Sequence, residues 1–137
     1  MSTIVLIADP EEGSRQELAA LLGEACMSAG ISLEVREAED GDAAEALIRE
    51  HKPQLIVSEV LLEKQSGLQL LRKVTSMKSY EPTWVFVSHM TSETDRYWGL
   101  RNGAHAYVRK PYEDDMLRSK LLELIENPEG AKPERPA

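Results

Sequence analysis

Ile4-Val5-Leu6-Ile7-Ala8-Asp9 is the stretch on which the fold turns: an unbroken apolar run stopped by a carboxylate. Three more short runs follow along the chain, Leu55-Ile56-Val57, Trp84-Val85-Phe86-Val87 and Ala106-Tyr107-Val108. A strand with one wet face alternates apolar and polar residues, whereas a continuous run points to a strand covered on both faces, as in a parallel sheet. A fifth segment, Ile31-Ser32-Leu33-Glu34-Val35-Arg36, does alternate and reads as a half-exposed strand at a sheet edge.

Helical spacing fills the gaps. Leu18, Leu21, Leu22, Ala25 and Cys26 share one face of a first helix. A second, from Asp42 to His51, carries Ala43, Ala46 and Leu47 at helical spacing after a Gly41 turn. A third, from about Ser66 to Met77, turns Leu68, Leu71 and Val74 inward. A fourth starts near Ser92, paired with Asp95 as a capping box, and Gly103 closes it. A fifth covers about Glu113 to Glu126, with Met116, Leu117, Leu121 and Ile125 inward. Strand and helix alternating five times predict an α/β fold, a parallel sheet with right-handed crossovers and helices on both faces. Residues 127–137 hold three prolines and no large apolar side chain, and read as a disordered tail or the start of a linker. That leaves 1–126 as one domain.

The bulk numbers agree with one small globular unit. At 137 residues a single core can fold without disulfides or metals, and 42% hydrophobic with 29% charged residues is ordinary for such a domain. The one cysteine, Cys26, has no partner for an intrachain bridge, which fits a reducing cytoplasm. No apolar stretch is long enough to span a membrane, so membrane insertion is not expected. Net charge is −8, and no basic stripe offers itself to nucleic acid.

In open α/β sheets ligands bind beyond the carboxyl ends of the strands. The polar residues that end these runs are Asp9, Glu59, Ser88 and Lys110, the last followed by Pro111. Two carboxylates, a hydroxyl and an ammonium from four separate strands therefore converge if the strands pack as inferred. With Glu39-Asp40-Gly41, Pro53-Gln54-Leu55-Ile56-Val57, Gly67 and Gly103-Ala104-His105-Ala106-Tyr107-Val108-Arg109-Lys110-Pro111, the chain over residues 3–126 resembles the receiver domains of bacterial response regulators. The resemblance implies a flavodoxin-like, doubly wound five-stranded sheet in the order 2-1-3-4-5.

It also implies a chemistry. In that family two acids after strand 1 and an aspartate after strand 3 hold Mg²⁺, and the aspartate takes a phosphoryl group from a histidine kinase. A Ser or Thr after strand 4 and a Lys after strand 5 contact the phosphoryl oxygens, and an aromatic on strand 5 reports the switch. Carried over by position, Asp9 fits the first acid, Ser88 the hydroxyl, Lys110 the lysine and Tyr107 the aromatic. Two positions depart: Pro10 stands at the second acid, with Arg15 fixing the register, and Glu59 stands at the phosphoacceptor. Asp9 and Glu59 against Lys110 leave a net −1, one negative charge fewer than usual, so Mg²⁺ binding is expected to be weak or absent unless Glu11 or Glu12 reaches back. The extra methylene of Glu59 displaces a carboxylate nucleophile by about an ångström, enough to cost on the order of 100-fold in rate. Glu59 then either imitates phosphoaspartate in part or fills a defunct site as a static ion pair with Lys110. The second is favoured, because one carboxylate carries fewer oxygens and less charge than a phosphoryl group.

His89 reads as a solvated loop residue rather than a cover for the pocket or a partner of Glu59. Tyr97, Arg101 and Arg109 are candidates for a partner surface on helix 4 and strand 5, Trp98 fits core and surface equally, and Tyr107 and Arg109 are placed at the surface. A short likeness of residues 93–104 to receivers of pilus-linked chemosensory systems points to motility signalling. The expectation is thus a non-enzymatic cytoplasmic adaptor without a catalytic residue or resident metal. It binds signalling proteins (a histidine kinase or a chemosensory component) or a second copy through helix 4, strand 5 and helix 5. The rival is a working phosphoacceptor at Glu59 with Mg²⁺.

Overall fold

The computed structural model describes residues 2–128. Ten elements alternate: β1 (Thr3–Ala8), α1 (Glu12–Ala29), β2 (Leu33–Ala38), α2 (Gly41–His51), β3 (Leu55–Ser58), α3 (Gly67–Thr75), β4 (Thr83–Ser88), α4 (Glu93–Arg101), β5 (Ala106–Arg109) and α5 (Asp114–Glu126). All four strand pairings are parallel, and the sheet order is β2-β1-β3-β4-β5, as the resemblance implies.

The unbroken apolar runs arise from the way alternate residues point. In β1, Val5 and Ile7 pack under α1 and α5, while Leu6 and Ala8 pack under α2, α3 and α4. In β4, Val85 and Val87 take the first face, and Trp84 and Phe86 the second. Both faces are covered, so neither set of positions tolerates a polar residue. At the edge, β2 is half-buried along most of its length, and it begins two residues later than its alternation suggests because Leu33 pairs with Thr3 at the start of β1.

The helix faces correct several sequence expectations. In α1 the buried residues are Leu18, Leu21, Leu22, Ala25 and Cys26, as expected. In α2 the buried pair is Ala44 and Ile48, with Ala46 exposed. Leu70 takes the inward position in α3, and Leu68 is only half-buried. In α5, Leu117, Leu121 and Leu124 face in, Ile125 is half-buried, and Met116 is 57% exposed. Ser92 and Asp95 do form a capping box at α4, and Gly103 follows its C-cap with φ of 113°, a left-handed value that suits glycine. Most of the proposed tail, 129–137, lies outside the described residues.

Candidate functional site

Parallel pairing brings the ends of β1, β3, β4 and β5 to one edge, so Asp9, Glu59, Ser88 and Lys110 meet there. Main-chain bonds extend the ladder to the site itself: Glu59 N–H donates to the Ala8 carbonyl, Asp9 N–H to that of Ala38 and Lys110 N–H to that of Ser88. The side chains of Asp9, Glu59 and Lys110 are 2%, 3% and 6% exposed, so their charges must be met inside the protein.

They are met by one another and by backbone amides. Lys110 Nζ lies 2.6 Å from Asp9 Oδ2 and 3.2 Å from Glu59 Oε2, bridging the two carboxylates. Glu59 Oε1 accepts the Val60 and Leu61 N–H groups at 2.9 and 3.4 Å and the Ser88 hydroxyl. Its Oε2 also accepts the His89 N–H at 3.2 Å. Asp9 Oδ1 accepts the Glu11 N–H and Oδ2 the Ser14 hydroxyl, both at 2.9 Å. Burial works against the Lys110 ammonium, but its bonds and proximity to Asp9 and Glu59 outweigh that and raise its pKa above the ordinary lysine value of 10.5. The Glu59–Lys110 ion pair anticipated in the sequence is therefore present, and Ser88 is drawn to the same carboxylate.

The family chemistry calls for Mg²⁺, and these residues do not fit it. Every carboxylate oxygen of Asp9 and Glu59 already accepts from an ammonium, a hydroxyl or an amide. Pro10 is exposed and has no carboxylate to add. Glu11 does not reach back with its side chain, which is 66% exposed and faces His89 at 3.5 Å. Mg²⁺ would have to displace the lysine from a cage of neutral and cationic donors. His89 otherwise behaves as expected, its ring mostly in solvent.

Tyr107 is the chief correction. Rather than lying at the surface, it is 9% exposed, its ring 5.8 Å from that of Phe86 and its hydroxyl donating to the Met90 carbonyl. Met90 N–H in turn donates to Ser88 Oγ at 3.0 Å, which connects Tyr107 to Glu59 through Ser88. The inward ring is admitted by Gly99 in α4, where an added Cβ would stand 2.9 Å from Tyr107 Cδ2 and 3.2 Å from Phe86 Cδ2. A Gly99→Ala variant should therefore push Tyr107 outward. Alanine's helical advantage of about 1 kcal/mol is expected to be outweighed, for a net loss of about 1 kcal/mol. Burial raises the Tyr107 pKa, so in the variant its ionisation should fall back toward 10.0, read by alkaline absorbance titration beside thermal unfolding.

Of the proposed partner-surface residues, Tyr97, Arg101 and Arg109 are exposed, Arg109 in an ion pair with Glu93. Trp98 sits with them at 48% exposure, its ring edge-on to that of Tyr97 at 5.2 Å. Sequence reasoning missed Ser14, the amides of Val60, Leu61 and His89, and Gly99. Only Gly99 left a signal, as a glycine inside a helix.

Comparison with known proteins bears on the family and the fold. Residues 5–122 match the response regulator receiver domain model. Protein PilH of Pseudomonas aeruginosa is 30% identical over 116 residues, 82% of this chain and 89% of its own length. The transcriptional regulatory protein TrcR of Mycobacterium tuberculosis is 34% identical over 104 residues, 76% of this chain, and the match spans 39% of TrcR. Among solved structures, the Francisella response regulator 1452 receiver domain superposes with a TM-score of 0.80 at 22% identity, covering 93% of this chain and 99% of that one. The receiver domain of NarL from Mycobacterium tuberculosis gives 0.79 at 21%, covering 91% and 97%. The chain belongs to the response-regulator receiver-domain family of two-component signalling.

Proposed function

We propose that this receiver domain signals by binding other proteins without accepting a phosphoryl group, and that it catalyses no reaction of its own. One observation carries the reading: Lys110 bridges Asp9 and Glu59 while all their remaining carboxylate oxygens accept other hydrogen bonds. A carboxylate so engaged is a poor nucleophile, and Mg²⁺ would have to displace the Lys110 ammonium that bridges the pair. Glu59 also takes the contacts that the family resemblance assigns to phosphoryl oxygens, those of Ser88 and Lys110, with Tyr107 held inward behind them. It thus keeps the domain in a single state, and the ion pair is the means rather than an alternative.

Tyr97, Trp98, Arg101 and Arg109 on α4 and β5 offer the docking face, for a signalling protein or for a second copy of the domain. The likeness of residues 93–104 to receivers of pilus-linked chemosensory systems favours a cytoplasmic chemosensory or motility partner, with a histidine kinase as the other kind. No described helix is long and apolar enough to cross a membrane.

Intact-mass spectrometry after incubation with acetyl phosphate and Mg²⁺ tests the reading, with Glu59→Asp beside the native protein. The expected result is no adduct on the native chain. An adduct on the variant alone would place the block at Glu59, and none on either would implicate Pro10 as well. A stoichiometric adduct mapped to Glu59 would overturn the reading.

A further inference from the structure

At the opposite edge of the sheet lies a recess of about 890 Å³, within the size range of small-molecule sites. Its apolar wall comes from Pro53, Leu71, Val74 and Pro82, with the rings of Tyr80 and Trp84. Gln54 and Thr83 also line it. Gln54 and Glu59 flank β3, and Thr83 and Ser88 are the first and last residues of β4, so five residues of extended chain put the two sites roughly 16 Å apart.

Its polar groups are unequally matched. Trp84 is 1% exposed and its indole Nε1 has no hydrogen-bond partner among the described residues, an expensive state for a buried donor. Its neighbour His105 accepts the Trp84 backbone N–H on Nδ1 at 3.1 Å, so the ring proton sits on Nε2 as a second donor. Burial lowers the His105 pKa and keeps the ring neutral. Lys52 stands at the wall with its ammonium 5.3 Å from the centre of the Tyr80 ring. The acceptors are mostly spoken for: Gln54 Oε1 takes the Ile4 N–H, and the Pro53 carbonyl takes the Tyr80 hydroxyl. Glu81 is the one carboxylate in the lining among the described residues.

We propose that this recess binds a planar apolar molecule carrying an anionic acceptor such as a carboxylate, its ring against Tyr80 and the apolar wall in front of Trp84 and its anion toward Lys52 and His105. Occupancy would be felt beyond the recess. Trp84 is edge-on to Phe86 at 5.9 Å and Phe86 contacts Tyr107 at 5.8 Å, so a row of rings leads from this wall to Tyr107.

Of the chain's two tryptophans, Trp98 is exposed and dispensable to the recess, so Trp98→Phe leaves Trp84 as the sole reporter. Naphthoate is titrated against this protein with Trp84 emission as readout, and thermal unfolding is followed alongside. The expected result is saturable quenching with a Kd on the order of 0.1 mM or tighter, together with a rise in Tm, as binding to the folded state requires. Lys52→Glu, on an exposed side chain, should weaken binding about tenfold. Quenching that does not saturate, a falling Tm, or affinity indifferent to Lys52→Glu would each overturn the proposal.

Discussion

Lys110→Met is expected to destabilise the fold by about 3–5 kcal/mol, the range for removing one partner of a buried ion pair. The reason is what it leaves behind. Asp9 and Glu59 are almost wholly shielded from water, and their remaining partners are neutral hydroxyls and amides. Two carboxylates would then face each other across the space of a lost cation. Adding Asp9→Asn to Lys110→Met should recover part of the loss, because it removes one of the stranded charges, and the two changes should be clearly non-additive. Urea unfolding with unchanged slopes would measure both.

The same bridge gives a pH signature. Since the Lys110 pKa is raised in the fold, its contribution is fully present below the ordinary lysine value of 10.5 and is lost as pH climbs through the higher folded value. Between neutrality and about pH 10 the native protein should show no loss from this group. Above that range its stability should fall, and Lys110→Met should lack that alkaline decline.

Gly67→Ala is expected to cost about 3 kcal/mol, the upper end for forcing extra volume into a packed site. A Cβ at this position would lie 2.4 Å from the Glu59 carbonyl oxygen, 2.9 Å from Phe86 Cε1 and 3.1 Å from Val60 Cα. Two of these are backbone atoms of the loop that carries the amides holding Glu59, so they cannot swing aside as a side chain can. The helix would have to lift, straining the Gly67 N–H bond to the Val60 carbonyl. Gly23→Ala supplies the contrast: it lies inside α1 with nothing within 4 Å of its added Cβ. There the same change should stabilise by about 1 kcal/mol. Opposite signs for one chemical substitution, measured by thermal unfolding, would separate the steric effect from the helical one.

How far the sequence carried depends on where each feature keeps its information. The sheet was legible because β1, β3, β4 and β5 are covered on both sides, and a short unbroken apolar run between turn residues suits a doubly covered strand best. The convergence of Asp9, Glu59, Ser88 and Lys110 followed from strand ends. Helix faces were less secure. In α5, Met116 and Leu124 are both apolar, and only packing against α1 decides that Leu124 is buried and Met116 is not. Tyr107 was misplaced because its inward pose depends on a missing side chain, at Gly99, on another element. The cage around Glu59 was illegible for a simpler reason: three of its donors are main-chain amides, which every residue but proline possesses.

The closed bridge at Lys110 has a consequence for how such a domain is controlled. A receiver that takes and loses a phosphoryl group stores its last input in a covalent mark, and its output can change while the number of copies stays fixed. With Glu59 fixed by the chain's own lysine and amides, the proposed adaptor has no such mark to write or erase. Its influence on a partner then follows mass action, set by the number of copies present and by their turnover. For such an adaptor the controlling input would move from a kinase to synthesis and proteolysis, and the signal would become a dose.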